Sequence, residues 1–202
     1  APSSHEPWRL EDLHTCWEWM HAHISYRSDV SLYGVPEYVS TVQETLANRA
    51  GDCEDHANLL GSMAMALGAK VRLVLTDAHA LIQVALEDRD PEETVASLVK
   101  LAAKRSKDLG LASNTYPNQC GEVAGGWRRV GIADFEKTGR AVAGFGTFHT
   151  HPDVRLQETD EGARYMALDT CMTRVMGSVD GLLRDGCLSA DGTWSTTTEF
   201  VD

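Results

Sequence analysis

GDCEDHANLLGSMAMALG, residues 51–68, decides how this chain is read. Gly51 and Asp52 punctuate, after which Ala57, Leu60, Met63, Ala64 and Leu67 fall on one face at three- and four-residue steps until Gly68 stops the run. After His56 the segment is almost wholly apolar, so the spacing predicts a helix buried at the centre of a domain. Cys53 stands in its first turn. A cysteine there packs as a small hydrophobe, or it is a nucleophile whose thiolate is favoured by the helix dipole and the unpaired N–H groups of the first turn. Asp52, Glu54 and Asp55 offset the same dipole but lift a neighbouring thiol, so a nucleophilic Cys53 requires the dipole and a protonated His79 to outweigh them.

Working outward, KVRLVLTDA (70–78) and HALIQVALED (79–88) are rich in β-branched residues and leucine and predict adjacent strands. Upstream, Trp8, Leu10, Leu13, Trp17, Met20 and Ile24 predict an amphipathic helix over 8–25, followed by a turn-rich loop at 26–36 and a short helix over 37–49. Downstream, Asp90 as cap, Pro91, Glu92 and Glu93 in the first turn and Gly110 after a basic last turn predict a helix over 91–109. Between 113 and 162 the pattern dissolves, with short strands expected around 127–132 and 142–148. ARYMALDTC (163–171) and TWSTTTEFV (193–201) predict strands flanking a glycine-rich loop.

The 202 residues suit one domain with a good core, and 43% apolar with 24% charged content is ordinary globular usage. A net charge of −12 argues against a nucleic-acid partner, which needs clustered Lys and Arg. No apolar run approaches the roughly 20 residues of a membrane span. The chain opens on Ala1, as expected of a processed product, a tag scar or an excised domain, and no signal peptide is visible. A soluble chain, cytoplasmic or exported, is expected; the sequence assigns neither compartment nor oligomeric state. Among the five cysteines, Cys53 is expected as the unpaired one, and Cys171 with Cys187 as the best candidate bridge.

A thiol nucleophile needs a base within hydrogen-bond reach and a group to orient it. His79, opening the second strand, suits the base, and Asp169, an acid inside an otherwise apolar run, suits the orienter, since a buried carboxyl calls for a partner. The segment ETLANRAGDCEDHANLLGSMAMALGAKVRLVL followed by HALIQV resembles the transglutaminase-like core, and DEGARYMALDTC is similar to that family's later aspartate strand, the likeness running over about 37–86 and 160–172. The resemblance implies an α+β, papain-like fold: a central helix packed on an antiparallel sheet, with a helical insertion. It places Cys53 as nucleophile, His79 as base and then acid, and Asp169 as orienter. The chain then divides into leading helices (1–50), a Cys/His core (51–87), the insertion (88–162), and the aspartate and C-terminal strands (163–202). If the long separation of His79 from Asp169 is not an insertion, Asp88 or Asp90 takes the orienting role.

The activity implied is that of a cysteine hydrolase or acyltransferase working on protein or peptide amides through a thioester, with peptidase chemistry preferred to amide transfer. The oxyanion would meet the Cys53 N–H and an upstream donor, Gln43 or Tyr33. No cofactor is required, although an acidic loop such as 158–161 would accept calcium. Two rivals stand beside it. GTFHTHPD (146–153) resembles the metal-binding stretch of JAMM-type zinc isopeptidases through His149 and His151, with Glu122 as a poor match to the upstream acid. The other rival is a non-catalytic binding module on the same fold.

Overall fold

The computed structural model describes residues 8–77, 79–87, 89–90, 93–94, 96–98, 100–101, 156–159, 162–171, 176–177, 182, 186–188, 194–195 and 197–201. Eleven elements are delimited among them: α1 (Leu10–His23), β1 (Ser25–Tyr26), α2 (Asp29–Tyr33), α3 (Val42–Asn48), β2 (Ala50–Gly51), α4 (Cys53–Ala66), β3 (Val71–Leu75), β4 (Ala80–Ala85), β5 (Leu156–Glu158), β6 (Arg164–Leu168) and β7 (Glu199–Val201). They fall in two compact units, the first within Ala1–Ala85, Leu168–Cys171 and Thr197–Asp202, the second within Leu86–Ala167 and Met172–Thr196.

In the first unit β4, β3 and β7 lie side by side in that order, both pairs antiparallel, with Leu73 opposite Ile82 and Val201. Helix α4 lies against β4 and β3, and its small residues set the distance: a Cβ added at Gly61 would touch the Ile82 side chain at 3.4 Å and that of Val71 at 3.7 Å. Leu59, Leu60 and Ala64 of α4 are buried with Leu81, Ile82 and Val84 of β4 and Val74 of β3. On α1 the predicted stripe is the observed one, since Leu10, Leu13, Trp17 and Met20 are buried with the flanking Trp8 and Ile24. Leucine and methionine side chains removed from water in this way each stabilise by about 1.5–3 kcal/mol.

Two local expectations are corrected. The stretch predicted as loop at 26–36 contains α2, which follows Ser28 and closes on Gly34 in the left-handed region at φ 73°. The helix predicted over 37–49 begins only at Val42, because Thr41 caps it: Thr41 Oγ1 accepts from Glu44 N–H at 3.3 Å while Glu44 accepts from Thr41 N–H at 2.9 Å. Residues 50–51 then pair with 25–26 as a short parallel ladder, which holds the chain immediately before Cys53.

In the second unit β5 and β6 form an antiparallel pair. Residues 93–94, 96–98 and 100–101 are helical, and Asp90 caps them as its position predicts, its Oδ1 accepting from Glu93 N–H at 2.8 Å. The strands predicted at 127–132 and 142–148, the His149 and His151 stretch, and Glu122 lie outside the described residues. Cys171 and Cys187 are not bridged: each keeps its own thiol. The Cys171 sulfur lies 4.0 Å from the Asp52 carbonyl, and Cys187 is buried beside Leu188 in the second unit.

Candidate functional site

Cys53 is the first residue of α4 and half-buried. Its Sγ–H donates to Glu54 Oε2 at 3.1 Å. Burial pushes the thiol up to about 12; the bond to Glu54 and the nearby charges of Glu54 and Asp52 add to this, while the Ala80 N–H turned toward the sulfur opposes it. Burial first, and the carboxylates with it, keep the proton on the resting sulfur. Glu54 feels the same bond from the other side. Burial works to raise its carboxyl, but bonds from Cys53 and Glu37 hold it below the usual range.

His79 directly precedes the strand that sends Ala80 N–H toward the sulfur. Thr76 fixes the turn before it, with both its N–H (2.9 Å) and its hydroxyl (3.0 Å) donating to the His79 carbonyl. His79 Nε2 lies 3.0 Å from Asp169 Oδ2, and both residues are buried. Asp169 follows the last residue of β6. Its Oδ1 accepts from Cys171 N–H at 2.8 Å, and its backbone carbonyl accepts from the Trp17 indole at 3.3 Å. Asp169, not Asp90, therefore faces the imidazole: Asp90 is engaged as a helix cap, and Asp88 lies outside the described residues. With Nε2 turned to the carboxylate, Nδ1 is the ring nitrogen that does not face Asp169.

The acids around Cys53 are not equivalent. Asp55 is wholly buried and structural, accepting from Ser40 N–H at 2.7 Å and from Ser40 Oγ–H at 3.0 Å. Tyr33, expected as an oxyanion donor, is tied into this network: its hydroxyl pairs with Ser40 Oγ at 2.8 Å and accepts from Asn48 at 2.9 Å. Gln43 is exposed on α3. Asp29, Asp52 and Glu54 each place a carboxylate oxygen within 4.8 Å of the others. Asp29 Oδ1 and Asp52 Oδ1 are buried without a hydrogen-bond partner, and burial followed by the Glu54 charge pushes the Asp52 carboxyl up to about 7. Hard, crowded, unpaired oxygens of this kind suit a divalent cation such as calcium. The loop expected to hold one, 158–161, has its acidic side chains outside the described residues.

Residues 3–106, just over half of the chain, match the family described as the transglutaminase-like superfamily. The chain belongs to that superfamily. No curated protein matches it. The matched span of this transglutaminase-like chain includes Cys53 and His79 but ends well before Asp169, which the fold returns to the first unit. Sequence reasoning missed Glu54 as the partner of the thiol and His56 as a neighbour of Asp169. The crowding of acids at 52–55 was a signal for the first, whereas nothing local marked the second.

Proposed function

We propose that this transglutaminase-like chain is a thiol enzyme that cleaves protein or peptide amide bonds, with Cys53 as nucleophile, His79 as base and then acid, and Asp169 as orienter. The observation that carries the proposal is the buried His79–Asp169 pair at 3.0 Å, with His79 directly before Ala80, the strand residue whose N–H is turned toward the Cys53 sulfur. In the attack, the Cys53 proton passes to His79 Nδ1 while sulfur bonds to the amide carbonyl carbon. The oxyanion formed is met by the N–H of Cys53, one of the first-turn donors that have no partner within the helix. His79 then gives the proton to the departing amine, leaving a thioester, and takes one from the water that resolves it. Asp169 keeps the imidazole in the required tautomer and balances its charge. Asp29, Asp52 and Glu54 would hold a calcium ion, whose charge would favour the ionised form of the acids beside the thiol.

The test is the rate of Cys53 alkylation by iodoacetamide in the intact chain and in His79→Ala. The enzyme reading expects the substitution to slow alkylation by about tenfold or more, because the imidazole that takes the thiol proton is gone in the variant. Equal rates in the two proteins, or full peptidase activity in Cys53→Ala, would sink it and leave a binding module on the same fold.

A further inference from the structure

Beside the proposed triad stands a second buried imidazole for which the chemistry above has no use. His56 lies one turn after Cys53 on α4 and is only 4% exposed. Its Nδ1 is 2.8 Å from the hydroxyl oxygen of Thr170, itself buried, and Thr170 is the residue next to Asp169. Its Nε2 is buried without a well-formed hydrogen bond, although the Ser25 backbone carbonyl also favours a proton on the ring. An unsatisfied buried nitrogen costs on the order of 1–3 kcal/mol, and a leucine would fill the same space without that cost. The best-formed bond of the ring is the 2.8 Å one to Thr170.

That bond reaches the segment on which the orientation of His79 depends. Residues 169–171 leave the end of β6 and are held by Trp17 through the Asp169 carbonyl. From the residue that precedes α4, the Asp52 carbonyl meets the Cys171 sulfur at 4.0 Å, a weak contact. The short His56–Thr170 bond is a direct tie between the helix that carries the nucleophile and the segment that carries the orienter. Displacement of a reacting group by about 1 Å can cost 10²-fold in rate.

We propose that His56 is a positioning residue: through Thr170 it fixes Asp169, and so the His79 imidazole, against the Cys53 end of α4. This rests on the assignment of Cys53, His79 and Asp169 made above. In the test, alkylation of Cys53 by iodoacetamide is measured in Thr170→Val, which deletes the hydroxyl at nearly constant volume, and in His56→Leu and His56→Asn. Each protein is also made in the His79→Ala background. Thr170→Val and His56→Leu are expected to lower the rate about tenfold, toward that of His79→Ala, and to add nothing once His79 is gone. His56→Asn, whose amide can replace the Nδ1 bond, is expected to recover most of the rate. A Thr170→Val chain as fast as the parent, or one that still loses rate without His79, would overturn the proposal. The isosteric Thr170→Val decides even if His56→Leu fails to fold. If His79→Ala itself leaves alkylation unchanged, the triad assignment has failed instead.

Discussion

At Cys53 the resting chemistry is set by burial and by one bond to a neighbouring carboxylate. Sulfur, burial and the Glu54 carboxylate combine to keep the thiol protonated, pushed up to about 12. Glu54→Gln removes the negative acceptor and its charge, so the thiol should ionise more readily; alkylation at pH 7 is expected to rise by about tenfold, and an unchanged rate would mean that burial alone governs the sulfur. Asp52 makes a second residue-scale prediction. Its carboxyl is raised from 3.8 to about 7 in the folded chain. Between those values the folded state holds more protons than the unfolded one, so stability falls as pH rises, and the whole loss is in force above pH 7. In a chelator-containing buffer, Asp52→Asn should raise the melting temperature at pH 8 and have little effect near pH 4. Calcium should raise the melting temperature of the parent by mass action but not that of Asp52→Asn.

At the scale of elements, the start of α4 is built around a glycine that cannot be replaced cheaply. A Cβ at Gly51 would come within 2.6 Å of Asp55 Oδ2, the carboxylate that receives both donors of Ser40. Gly51→Ala is expected to cost about 1–3 kcal/mol, by forced movement of a packed group, with an unchanged dependence on urea concentration. A cost below about 0.5 kcal/mol would mean that Asp55 yields. Helices α1 and α4 were legible because their apolar residues repeat at the helical period, and β3 and β4 because each is a short run rich in β-branched residues and leucine. Helix α2 was not, because its five residues, DVSLY, are too few to show a period and lie between turn-forming neighbours. Nor was the burial of Asp55: its partner Ser40 is 15 residues away in a stretch without a pattern of its own.

For the whole molecule, the informative separations are long. Asp169 lies 90 residues from His79, and Thr170 lies 114 from His56, so neither contact can be inferred from local spacing. The acid of the pair was reached because a carboxyl in an apolar strand demands a partner and because its segment resembles the family's aspartate strand; the histidine pairing carries no such mark, since a serine, a backbone carbonyl or water would satisfy His56 equally well. The same long return of the chain shapes the outer border of the sheet. Strand β7 comes back to pair with residues 73–75 of β3, and the Arg72 guanidinium sits 4.3 Å above the Phe200 ring. All three residues of β7 are exposed, so they contribute little to the core. Their value is as a cover. Stopping the chain after Thr198 would uncover the amide and carbonyl groups of β3 to any extended segment of another molecule. The truncated chain is expected to remain folded at low concentration and to form growing oligomers, seen by light scattering, as concentration rises; a monodisperse product would show that a three-residue fringe is not what keeps these molecules from joining edge to edge.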